Sequence, residues 1–350
     1  MQKTVDKDQK TELTAAGQLI GALLLAVLSV SYALGALPRM IGMTFAAPLV
    51  ALLLLRARSF VLCLAAGAYA ALATLLGSTV GLILAVFVLI GGGLLAVSVR
   101  RGEDRASLCI TLGGVFLLSG VAVIGYQTCT AMIAAGRGDF FPYLTEQINA
   151  LTASFADELV LFLDNMKKMY EALGQEVISP ARADVELLLT RQMSLAPGWA
   201  VLLALLLSLC ATYLLQLFSL LSDGEGREPL FSKENRAFRL GVPLAVLYLA
   251  VILVDLFYRD YTSVFSLTVM NAHTVLVPLF AIGGLSFLPR VLHGMRYFEN
   301  GRATHLIWFA MFIILCLFYL QYAVLFFGIA YAISILKNAI RSRRNKADRG

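Results

Sequence analysis

Four residues in the C-terminal half carry the chemistry that an otherwise apolar chain lacks: Asp255, Asn271, His273 and Thr274. Burying an ionised Asp at the middle of a bilayer costs at least about 2.5–3.5 kcal/mol, so an ionisable group in a membrane helix is a functional candidate by default. Thr268, Asn271 and Thr274 recur every third residue, which lines them along one helical face, and His273 falls on another face of the same segment, near its expected midplane. Pro278 removes the N–H that the Thr274 carbonyl would accept, so the segment is expected to kink and leave that carbonyl open beside polar side chains. Irregular backbone with polar neighbours at membrane depth is one way transporters build binding sites. A substrate site on Asn271, His273 and Thr274 is therefore expected, with Asp255 at the outer interface, where Arg259 one helical turn on is placed to pair with it. Pro48 repeats the device more weakly by freeing the carbonyl of Thr44.

Other chemistry has no footing in the sequence. GxxxxGK[ST], HExxH and GxSxG are all missing, and with them the P-loop ATPase and the familiar metalloprotease and serine-hydrolase patterns. His293 and His305 have no ligand-spaced neighbours, and the five cysteines, Cys63, Cys109, Cys129, Cys210 and Cys316, form no CxxC pair. They read as small core hydrophobes, not as disulfides or metal ligands. The expectation is a protein that is not an enzyme, with no catalytic residue, no metal and no cofactor. The net charge of +6 sits in short loops and in the tail, a distribution set by membrane topology and not by nucleic acid.

Those residues are positioned by an all-α transmembrane bundle. With 59% hydrophobic and 14% charged residues, the chain forms apolar runs without a polar face, most of them long enough to cross roughly 30 Å of hydrocarbon. Ten spans are expected, at 14–36, 40–55, 59–78, 79–99, 106–129, 198–218, 239–258, 262–288, 304–318 and 322–337. The first is read as a retained span and not a cleaved signal, because its leader also carries Asp6, Asp8 and Glu12. Ala303–Asn338 is too long for one crossing at about 54 Å of helix, so a turn is expected near Tyr319–Tyr322. Ten spans put 21 of the 28 basic residues on one side, the cytoplasmic one, together with both termini. The chain is placed in the bacterial cytoplasmic membrane as a multi-pass protein, with the lipid bilayer as its first partner.

Four regions follow: a first transmembrane half (1–129), an extracytoplasmic helical insertion (130–197), a second transmembrane half (198–338) and a basic cytoplasmic tail (339–350). The insertion carries five basic against nine acidic residues. Ile148, Leu151, Phe155, Leu159, Phe162, Met166 and Leu173 recur in it at helical spacing, Gly174 stops that helix, and Ser179 with Pro180 opens a second. The two amphipathic helices are expected to pack on each other or on the membrane plane, or else to form a lid or a partner-docking face. Small residues such as Ala22 and Ala26, the alanines at 65–71, Gly91–Gly93 and Gly113–Gly114 are expected to let helices approach closely, chiefly within the bundle.

The layout, with the string Phe280-Ala-Ile-Gly-Gly-Leu-Ser286 ending one span and Phe327-Gly-Ile-Ala330 before the basic Arg341–Arg344, resembles the YybS-like family of polytopic bacterial membrane proteins. More distantly the chain is similar to the substrate-binding S components of energy-coupling-factor transporters, whose first helix docks through an AxxxA pattern that Ala22 and Ala26 match in spacing. The resemblance implies a small-molecule ligand and separate membrane and ATPase subunits. A small-solute transporter component is thus the leading expectation. Its rival is a non-transporting scaffold of an envelope or cell-wall assembly, and an intramembrane enzyme ranks third. A deep cavity lined by Asn271 and His273 would favour transport; an exposed apolar stripe on the outer helices would favour the scaffold.

Overall fold

A computed structural model of the chain describes residues 15–33, 39–57, 61, 65–69, 79–176, 180–222, 240–258, 260, 263–294 and 320–347, and every regular element among them is helical. In chain order these are α1 (Ala15–Ala33), α2 (Arg39–Arg56), α3 (Thr79–Arg100), α4 (Arg105–Ala134), α5 (Phe140–Ala172), α6 (Arg182–Ser194), α7 (Ala196–Ser222), α8 (Val242–Phe257), α9 (Val264–Gly294) and α10 (Leu320–Ala347). Five of them, α3, α4, α7, α9 and α10, are long and apolar enough to cross a membrane, and α1, α2 and α8 are shorter apolar helices. The expected span 304–318 lies outside the described residues, and 59–78 contributes only Val61 and Ala65–Tyr69. Cys109, Cys129 and Cys210 are free thiols.

Lipid tails are as apolar as leucine, so helices in a membrane are held by close fit and by interhelical hydrogen bonds. Glycines supply the fit here. A Cβ on Gly92 of α3 would stand 2.5 Å from Val50 and 2.9 Å from the Ala47 carbonyl of α2, and one on Gly113 of α4 would meet Leu205 of α7 at 2.9 Å. Gly283 and Gly284 of α9 admit Tyr331 and Phe327 of α10, while Gly328 of α10 admits the Tyr248 ring of α8. Tyr248 and Phe280 stack face to face with centroids 4.3 Å apart. The two strings that carried the family resemblance thus meet at one crossing of α8, α9 and α10.

Paired contacts fix the helix directions. Arg100 at the end of α3 donates to the Leu54 carbonyl at the end of α2, at 2.8 Å, so α2 and α3 run parallel. On α4 and α7, Arg105 donates to Gln216 and Gly113 abuts Leu205, so these two are antiparallel. Asp255 lies by His273 and Tyr248 by Phe280, which makes α8 and α9 antiparallel. Leu240 bonds Tyr331 and Tyr248 bonds Leu325, which makes α8 and α10 antiparallel and therefore α9 and α10 parallel.

Arg56, Arg100, Arg105 and the basic end of α10 consequently gather at one end of the bundle. Arg105, buried there, lies 4.1 Å over the Tyr213 ring. Its helix is opened by Asp104, whose carboxylate accepts the Ser107 N–H at 2.8 Å and caps an otherwise unbonded donor. Beyond this same end α10 runs on past the expected tail boundary, through Arg341, Arg343 and Arg344 to Ala347, with its positive charges on the helix terminus that favours them.

α5 and α6 project from the opposite end. Pro142 sits in the first turn of α5, where its missing N–H costs nothing. Gly174, at φ 77°, ends that segment as expected. The second helix begins later than Pro180 implies, since Ala181 is its N-cap and Arg182 its first residue; Ser179 lies outside the described residues.

Candidate functional site

α8 and α9 bring Asp255 and His273 together. Asp255 lies in the last turns of α8 with its side chain 5% exposed, and its Oδ2 is 3.8 Å from Nε2 of His273, which is 29% exposed. That distance exceeds a hydrogen bond but suits an ion pair when the imidazole is protonated. The expected partner Arg259 lies outside the described residues. The hydroxyls of the polar stripe turn back on their own helix: Thr268 donates to the Val264 carbonyl at 2.8 Å and Thr274 to that of Met270 at 2.9 Å.

Asn271 has a different task from the one its sequence context suggested. α6 ends at Ser194 and α7 begins at Ala196, a break that leaves carbonyls unbonded at the end of α6 and N–H groups unbonded at the start of α7. The Asn271 carboxamide takes one of each. Its Oδ1 accepts the Gly198 N–H at 2.6 Å, and its Nδ2 donates to the Ser194 carbonyl at 3.0 Å and to Leu267 within α9 at 2.9 Å. Only glycine at 198 permits the approach, because a Cβ there would stand 2.9 Å from both the Asn271 carbonyl oxygen and Oδ1. Both amide hydrogens of Asn271 are thus bonded within the chain.

Asn271 also fixes the depth of the cluster. It lies level with the first turn of α7, so Asp255 and His273 sit toward the α5–α6 end of the bundle, not at its midpoint. A separate cleft of about 320 Å³ lies between α4, α7, α8 and α9. Carbon lines it almost throughout, from Ile110, Leu205, Leu244, Leu276 and Phe280, and none of the four candidate residues reaches its wall. Among the described residues no group of His, Cys, Asp and Glu has the arrangement of a metal site.

The second feature able to act is the α5–α6 module. Arg182 joins the two helices by pairing with Asp157 at 2.8 Å while also holding Glu186, and Arg137 pairs with Glu146 near the base of α5. Ala156 and Val185 are the buried residues of the pair. The predicted apolar stripe divides accordingly. Leu159 and Met166 are half-buried, whereas Ile148, Leu151, Phe155, Phe162 and Leu173 are exposed. The two apolar faces do not close on each other, and the module leaves a long hydrophobic surface open. Sequence periodicity found this helix but not which part of its stripe α6 covers. It missed Gly198 and Ser194 altogether, although Pro197-Gly198 marks the helix break that Asn271 closes.

Residues 22–330 match the family described as "Predicted membrane protein (DUF2232)". The chain belongs to that family, and it is an integral membrane protein. No curated protein and no solved structure matches it.

Asn271→Ala is expected to lower stability by about 1–3 kcal/mol, since it strands one N–H and one carbonyl at the α6–α7 break. Gly198→Ala is expected to act in the same direction. Thermal unfolding of the purified variants in detergent checks both, and unchanged midpoints would show that the carboxamide does not hold this junction.

Proposed function

We propose that the protein is a membrane-embedded scaffold, without catalytic chemistry of its own, that holds a partner on the open face of α5. One observation carries this reading: the exposed apolar surface from Phe141 to Leu173, far longer than scattered surface hydrophobes require, on a module that packs mainly on itself. Phe141, Phe155 and Phe162 on one exposed face are the type of aromatic anchor that dominates binding energy at interfaces.

The proposed topology is the ten-span one, with both termini cytoplasmic and 130–197 outside the bacterial cytoplasmic membrane. The helix directions support it. The second and fourth spans of that topology must run the same way, as α2 and α3 do, and Ala65 and Tyr69 lie in the core with Leu25 and Leu53. The eighth and tenth must likewise agree in direction, as α9 and α10 do. The gathering of arginines at the end opposite α5 and α6 supports the orientation.

Transport of a small solute, with the YybS-like and S-component resemblances behind it, is the second reading. The buried Asp255 beside His273 favours it, whereas the cleft that Asn271 and His273 do not line weighs against it. Mass spectrometry of small molecules retained by the purified chain tests it, with Asp255→Asn as the control; identical spectra from both proteins would retire that site.

A reporter fused after Gly350 should read cytoplasmic and one inserted at Gly174 external; any other pattern removes the ten-span topology. For the scaffold itself, the chain extracted from its native membrane in mild detergent should migrate as a complex well above its own 38.0 kDa. Phe155→Asp with Phe162→Asp should collapse that complex to the free chain at equal abundance, because both side chains are already exposed in the lone protein. Identical migration of the two proteins would contradict the reading.

A further inference from the structure

The stripe on α5 has a period, and the period describes its occupant. Phe141, Ile148, Phe155, Phe162 and Met169 are spaced seven residues apart, and all five are between 42% and 77% exposed. Leu144 and Leu151 fall three residues after the first two of them, so the first half of α5 reads as the a and d positions of a heptad. A straight helix drifts by about 20° per heptad, so four intervals wind the stripe by about 80° around α5. A flat membrane surface meets only part of such a stripe. A second helix that supercoils left-handedly follows all of it.

Charge narrows the occupant further. From Phe140 to Met166 the helix has no Lys or Arg, and it carries Glu146, Asp157, Glu158 and Asp164. Helices that lie on membranes display basic residues toward anionic headgroups, so this one is built with the wrong sign for lipid. Glu146 and Asp157 are neutralised by Arg137 and Arg182. Glu158 belongs to no salt bridge among the described residues; it is exposed at the d position between Phe155 and Phe162, inside the seam. A second copy of α5 would set acidic surface against acidic surface and bury that carboxylate without a counter-charge, which is costly. Lys167 already pairs with Glu171 and leaves Lys168 to offset the rest.

We infer that α5 docks a basic amphipathic helix of another protein, in a left-handed two-helix seam, with a Lys or Arg of the partner opposite Glu158. This deepens the scaffold reading and rests on it. The full-length protein in nanodiscs of zwitterionic lipid is to be titrated by fluorescence anisotropy with two four-heptad peptides. Both carry leucine at a and d; one has lysine at e and g, the other glutamate. The lysine peptide is expected to bind at least about tenfold more tightly at low salt, with the difference shrinking as salt screens it. Phe155→Asp with Phe162→Asp should abolish binding of both peptides, and Glu158→Lys should reverse the preference between them. Equal binding of the two peptides, self-association of the chain through α5, or indifference to Glu158→Lys would overturn the inference. If those failures coincide with a native complex that the double variant still dissociates, the scaffold reading stands and only the basic character of its partner is lost.

Discussion

Because lipid gives two apolar helices no reason to leave it for each other, close approach at glycine is the constraint on which this bundle rests. At Gly92 the approach joins α2 to α3; at Gly283, Gly284 and Gly328 it locks α8, α9 and α10 around the Tyr248–Phe280 stack. These crossings set the helix directions and the height of every side chain along the bundle. They bring Asp255 to His273 across α8 and α9.

One side chain ties the α5–α6 module to that bundle at the α6–α7 break. A helix break exposes polar backbone groups, and such groups are costly wherever water is scarce. Asn271 closes the break between α6 and α7 with one donor and one acceptor, and the absence of a Cβ at Gly198 lets it do so. α9, locked below by α8 and α10, therefore steadies the base of α6 above. A docking face is useful in proportion to how well it is fixed before the partner arrives, because ordering at the moment of binding subtracts from affinity.

Much of this was legible in the sequence, and the limits have physical causes. Apolar runs without a polar face announced α3, α4, α7 and α9 to within a few residues at most ends, since a membrane helix has only its length and hydrophobicity to satisfy. The small residues at 91–93 and 113–114 were legible as contact positions, but not which helix each would meet. Asn271, His273 and Thr274 were recognisable as polar groups in an apolar helix; that Thr274 would bond back to Met270 and Asn271 would cap two other helices was not, because those partners are set by tertiary contact. Likewise α5 was evident from its period. Which half of its stripe stays open depends on where Arg182 and Val185 bring α6.

The module on α5 and α6 is acidic, aromatic and open, and the apolar bundle below holds it in place. Photo-crosslinking in the native membrane tests that account most directly, with a photoreactive residue placed at Phe155 on the open face or at Val160, half-buried and one helical turn from the buried Ala156. The account predicts adducts of the chain with a second, different polypeptide from position 155 and only intrachain products from position 160. Adducts from position 155 confined to lipid or to the chain itself would contradict it.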